Sequence, residues 1–189
     1  MTEIRIDGRG GQGNVVAAYM LARAAFEAGR FAQAFPTFGP ERRGAPVASF
    51  VRISDRPVRR RCLVREPHYV IVQDRGLLHD GGALQGLRPG AGVLVNSPRT
   101  PGELGLSAPE VNIATIPASA MAAEILGEPI PNTALLAALL TLTELLPLDA
   151  LEAVIVRRFA GEEQRRNVAL MRAAALRVIA GAWKERGDA

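Results

Sequence analysis

Four glycines fall within six residues at Gly8-Arg9-Gly10-Gly11-Gln12-Gly13, between a short apolar run and a long one. Ahead of them residues 3–7 alternate as a half-buried strand does, and behind them residues 14–29 are apolar around most of a helical circumference. The order is strand, glycine turn, helix. With no side chains in the way, backbone N–H groups and the positive end of the following helix face whatever approaches, and both favour an anion. An oxyanion, above all phosphate, is the expected guest.

The 189 residues suit one domain over 1–189, long enough to bury roughly 70% of the unfolded surface. Apolar content of 48% and charged content of 22% exclude a disordered chain. The single cysteine, Cys62, excludes an internal disulfide, a CxxC motif and a self-contained iron–sulfur site. A reducing compartment is expected, and any redox centre belongs to another chain. No apolar run reaches the ~18 residues of a membrane span. The opening MTEIRID has no basic-then-apolar leader, so the expected location is cytoplasmic. Residues 1–65 hold 12 Arg against 5 acids, and residues 66–189 hold 11 Lys or Arg against 14 acids. The positive field is N-terminal and would gather an anionic ligand or an acidic partner. Codon composition explains the number of arginines equally well, but not their clustering.

Helix 14–29 should end at Gly29 as a left-handed C′ residue. Residues 31–35 read as a second strand stopped by Pro36, giving a β-α-β crossover and hence a parallel sheet. Residues 36–46 hold three prolines, two glycines and Glu41-Arg42-Arg43, so they form an irregular loop beside the glycine turn at the ligand-binding edge of the sheet. Adjacent arginines present forked donors suited to phosphate, although a solvated charge pair on a surface loop fits the same residues. Residues 47–54 and 58–64 read as an antiparallel pair around Ser54-Asp55-Arg56-Pro57. Arg59, Arg60 and Arg61 then point to both faces of the second strand, the mark of a charged sheet edge. Nucleic-acid binding is disfavoured, because aromatic residues are 5% of the chain and no stacking platform accompanies the basic run.

Residues 69–72 form a continuously apolar strand ending near Asp74, residues 77–87 include a short helix loosened by glycines, and residues 93–96 and 111–115 are further strands. From residue 118 the chain turns helical: 118–126 closes at Gly127, Asn132 caps a helix to about Leu146, a third begins at Pro147-Leu148-Asp149, and the last covers about 162–184. The 132–146 helix is too leucine-rich to face water broadly, so it is internal or covered by a partner. The expected class is α/β: a Rossmann-like open, mostly parallel sheet flanked by helices, with an antiparallel hairpin and a helical C-terminal part.

Gly8-x-Gly10-x-x-Gly13 formally matches a dinucleotide fingerprint. An NAD site would also want an acid at the end of the second strand, and there the chain has Phe35-Pro36. No GxxxxGK[ST] motif occurs. His68 and His79 lie in unrelated contexts, which argues against a metal ligand set. Cys62 reads as a buried structural thiol, and the serines lack a nucleophile-elbow context. Binding groups are better represented than catalytic ones.

Two long segments carry a more specific signal: residues 8–58, and a later set comprising EPHYVIVQD, Val95-Asn96-Ser97 and Ile130-Pro131-Asn132-Thr133. Together they resemble the gamma subunit of the 2-oxoacid:ferredoxin (or other acceptor) oxidoreductases, the group of pyruvate, 2-oxoisovalerate and phenylglyoxylate enzymes. His68 stands where that family would have an acid. The resemblance implies a complex that oxidatively decarboxylates a 2-oxoacid and captures the acyl group on coenzyme A. Thiamine diphosphate with magnesium is expected on alpha and beta chains, and [4Fe-4S] clusters on a delta chain passing electrons to ferredoxin or another acceptor. It further implies that Gly10, Gly11, Gln12 and Gly13 approach coenzyme A, that Arg42 and Arg43 pair with its phosphates with Glu41 orienting them, and that Asn132 is a polar contact. No residue of this chain need be catalytic. A purely structural subunit of the same complex and a free-standing NAD-binding protein remain the alternatives.

Overall fold

The computed structural model describes residues 1–37, 44–60, 62–78 and 82–184. Glu41, Arg42, Arg43, Arg61 and His79 lie outside the described residues. Six strands, β1 (Thr2–Arg9), β2 (Phe31–Pro36), β3 (Pro46–Ser54), β4 (Tyr69–Val72), β5 (Gly92–Asn96) and β6 (Asn112–Ile116), form one sheet. Its order is β2-β3-β1-β4-β5-β6. β3 alone runs against the others, pairing antiparallel with both β1 and β2, while β1, β4, β5 and β6 are joined in parallel. The helices are α1 (Asn14–Glu27), α2 (Ala118–Leu126), α3 (Asn132–Thr143), α4 (Leu148–Arg158) and α5 (Gly161–Ala175). The mostly parallel α/β class expected from the sequence is the observed one.

Strand alternation divides the molecule. Ile4, Ile6, Val51, Ile53, Ile71 and Leu94 point into a core shared with the helices, whereas Val70, Val72, Val93 and Val95 pack under Leu77 and Ala83 on the opposite face. Leu77 and Ala83 belong to two 3₁₀ turns, Arg75–Leu78 and Gly82–Leu84, which stand where one loosened helix was expected. α3 is buried along nearly its whole length within this chain, so its leucines need no partner subunit. None of the described helices is long and apolar enough to cross a membrane.

Four expectations are corrected. β2 does not hydrogen-bond to β1: β3 is inserted between them, so the β-α-β crossover spans two strand positions. The described residues of 58–64 form no strand, because both edges of β3 are already taken by β1 and β2. The segment instead crosses the sheet, where the fully buried Arg52 donates from Nη1 to the Arg60 carbonyl (3.2 Å) and from Nη2 to that of Cys62 (2.5 Å). Cys62, freed from a strand, is exposed rather than buried. α5 stops at Ala175 instead of running to 184, and the chain then returns through Gly181 (φ 67°). That return lets Trp183 donate its N–H to the Leu142 carbonyl (2.9 Å) and stack on Tyr69, over a Gly92 whose Cβ would stand 2.4 Å from the indole.

Candidate functional site

The C-terminal ends of β1, β4 and β5 meet at one edge of the sheet, and the glycine turn rises from the first of them. Gly11 (φ 96°) and Gly13 (φ 76°) hold left-handed conformations that other residues adopt at a cost, and the space where a Gly11 Cβ would sit is open. The first bond of α1 runs from Ala17 N–H to the Gly13 carbonyl (2.9 Å). The helix ladder therefore leaves the N–H groups of Asn14, Val15 and Val16 unused, at the positive end of its dipole.

The turn meets the described residues that follow Arg43. Gly10 donates to the Ala45 carbonyl (2.9 Å) and accepts from Gly44 N–H (3.3 Å). Gln12 is drawn into the turn itself: its Oε1 accepts Arg9 N–H (2.7 Å) and its Nε2 donates to Asp74 Oδ2 (3.3 Å). Asn132 lies against the turn but does not cap α3, whose N-cap position is Pro131. Its Nδ2 donates to the Gly13 carbonyl (3.2 Å) and its Oδ1 accepts from Gln73 Nε2 (2.9 Å). Asn96 continues the chain of amides, donating to the Gln73 carbonyl (2.9 Å). Gly10, Gly11, Gln12, Gly13 and Asn132 are thus brought together.

Sequence reasoning missed Gln73 and Asn14. Asn14 donates to the Val47 carbonyl (2.8 Å) and covers Gly8 so closely that a Cβ there would lie 2.4 Å from its Oδ1. The available signal was a polar residue closing each parallel strand, Gln73 after β4 and Asn96 at the end of β5. Beside the turn opens a cavity of about 540 Å³, within the range of small-molecule clefts. Gly11, Gln12 and Gly13 line one wall, Met20, Leu126 and Ile130 supply apolar surface, and Arg158 and Arg166 stand among Glu128, Glu162 and Glu163, with Arg166 Nε donating to Glu162 Oε1 (3.0 Å).

The family model for pyruvate ferredoxin/flavodoxin oxidoreductase matches residues 3–176. The chain belongs to that family. Its relatives include the pyruvate synthase subunit PorC of Methanothermobacter marburgensis, 45% identical, with 92% of this chain and 96% of that one aligned. The pyruvate/ketoisovalerate oxidoreductases common subunit gamma of Thermococcus litoralis is 43% identical over 92% of this chain and 95% of that one. Among solved structures, the pyruvate oxidoreductase subunit PORC of Thermotoga maritima superposes with a TM-score of 0.83 at 35% identity, covering 93% of this chain and 95% of that one. This member of the oxidoreductase family is of the gamma-subunit type, a component of an enzyme complex rather than a whole enzyme.

In this family member one carboxylate beneath the turn is electrostatically unusual. Burial raises Asp7 from 3.8 to about 6, against the opposing pull of the Arg5 guanidinium, whose Nε lies 2.9 Å from Asp7 Oδ2. Arg5 also donates to the Ala83 (2.6 Å) and Gln85 (3.1 Å) carbonyls, so the pair is roofed by the second 3₁₀ turn rather than open to the cavity. Protonation favours the folded chain. The cost of ionised Asp7 is absent below about pH 3.8, grows as the pH rises and is complete above about 6. The stability of an Asp7→Asn variant relative to the parent should therefore improve by about 2.5 kcal/mol between pH 4 and pH 7, read by urea unfolding at both values. A difference independent of pH would contradict the assignment.

Proposed function

We propose that this gamma subunit binds coenzyme A and positions it within a complex that converts a 2-oxoacid and coenzyme A to acyl-coenzyme A, carbon dioxide and reduced acceptor. The observation that carries the reading is the glycine turn. Its Gly11 side is open, α1 begins behind it with unused N–H donors, and a cavity large enough for part of a nucleotide-derived ligand lies alongside. Phosphate groups suit those donors, and Arg42 and Arg43 would supply positive charge to pair with them. Gly10 through Gly13 would approach the phosphate or pantetheine portion, with Asn132 holding Gly13 from behind.

Thiamine diphosphate, with magnesium, supplies the decarboxylation chemistry from alpha and beta chains in this reading, and [4Fe-4S] clusters on a delta chain take the electrons toward ferredoxin. Among the described residues, no three His, Cys, Asp or Glu side chains gather to hold a metal ion. The contribution of this chain is proximity: a thiol held in place reacts as though at very high concentration. A purely structural turn is the competing reading, favoured by the internal use of the Gln12 side chain.

Gentle purification of the tagged chain from its native cell, followed by dye-reduction assays with a panel of 2-oxoacids, tests the reading. Co-purifying thiamine- and iron–sulfur-bearing chains, with dye reduction that requires both one 2-oxoacid and coenzyme A, is the expected result. A chain that emerges alone, or oxoacid oxidation indifferent to coenzyme A, would contradict it.

A further inference from the structure

Asp74 lies two residues beyond β4, and both of its carboxylate oxygens are engaged. Oδ1 accepts Gly76 N–H (2.8 Å), while Oδ2 accepts from Arg9 Nε (2.9 Å) and Gln12 Nε2 (3.3 Å). Arg9 extends the connection, donating from Nη1 to the Gly44 carbonyl (3.2 Å). One carboxylate therefore ties together the base of the glycine turn, its central glutamine, the near end of the arginine-bearing loop and the first 3₁₀ turn.

We infer that Asp74 is a positioning residue for coenzyme A, holding the glycine turn and Gly44 in one arrangement through Arg9 and Gln12 without itself touching the ligand. The inference rests on the coenzyme A reading above. Two features separate this role from general stability. The Arg9–Asp74 pair is partly open to solvent, with side-chain exposures of 36% and 25%, and pairs of that kind add little to global stability. Gly76 is also fitted to the carboxylate: a Cβ there would stand 2.9 Å from Asp74 Oδ1 and 3.1 Å from Arg9 Nη2. Its φ is not left-handed, so glycine serves here to let the two side chains close over it. Charge matters as much as shape. Three donors converge on Asp74, and an amide in its place would turn an N–H₂ toward one or more of them.

The test uses the assembled complex carrying Asp74→Asn, with Gly76→Ala as a second variant that crowds the same contact while leaving every charge in place. Displacing the turn should raise KM for coenzyme A roughly 10-fold in Asp74→Asn and less in Gly76→Ala. The kcat at saturating coenzyme A and KM for the 2-oxoacid should stay within about twofold, since the inference assigns Asp74 no part in the chemistry. A coenzyme A KM unchanged in both variants overturns the inference if Arg42→Ala/Arg43→Ala raises it in the same assay. If that double variant is also silent, the coenzyme A reading itself fails. Loss of this chain from the complex in both variants, or an equal fall in kcat for every substrate, would make Asp74 structural and also overturn the inference.

Discussion

Glu3→Ala should destabilise the chain by about 3–5 kcal/mol, among the largest losses available from one surface-proximal side chain. The reason is Arg52, which is 0% exposed and whose Nε donates to Glu3 Oε1 at 2.8 Å. Glu3 and Arg52 face each other across the β1–β3 ladder, and the guanidinium also stacks 5.0 Å from the Phe35 ring centroid. Its remaining donors go to the Arg60 and Cys62 carbonyls, which bring the segment after β3 across the sheet. Removing Glu3 leaves a cation with only neutral partners in a low-dielectric site. Removing both charges in Glu3→Ala/Arg52→Met should recover more than half of that loss, because a methionine fills the space without needing a counter-charge. Equilibrium urea unfolding at pH 7 measures both. A Glu3→Ala variant within 1 kcal/mol of the parent would contradict the account of Arg52 as a buried, dependent cation.

The β1–turn–α1 unit was legible because several local signals agree there: alternation before the glycines, a helical apolar pattern after them, and a C′ glycine at position 29 that the structure holds at φ 73°. The apolar β4 and the α2 boundary at Gly127 were legible on similar grounds. What failed were features decided by distant residues. Residues 58–64 have a strand-like pattern, but strand formation needs a free edge, and β3 has none. The spacing of Val178 and Trp183 continues the period of α5, yet Trp183 is buried by a chain reversal onto α3 and Tyr69. Asn132 has the side chain of a cap but stands one residue inside α3, past the N-cap position at Pro131. Its amide is instead drawn to Gly13 and Gln73, 119 and 59 residues away, a preference that only the assembled sheet edge can create.

The candidate site was read with the same mixture. Its glycines, and the contact of the turn with Gly44 and Ala45, followed from sequence order and the sheet edge. The amide chain through Gln73 and Asn96 and the carboxylate of Asp74 did not, since each binds across elements that the sequence separates widely. These contacts make the turn a supported structure rather than a flexible loop, which is the condition for a binding site that positions its ligand by proximity.

The second large effect belongs to the arginine pair, and it bears most directly on whether this gamma subunit handles coenzyme A. A charge-assisted hydrogen bond to phosphate contributes on the order of 1.5–3 kcal/mol, so losing two arginines should weaken binding by about 100-fold at the low end of that range. The decisive measurement is the steady-state KM for coenzyme A in the assembled complex carrying Arg42→Ala/Arg43→Ala, with subunit composition checked in the same preparation. A KM raised by about two orders of magnitude, with the complex intact and KM for the 2-oxoacid unchanged, is the predicted result. An unchanged coenzyme A KM, or a complex that simply loses this chain, would contradict the reading and leave the glycine turn as a structural joint.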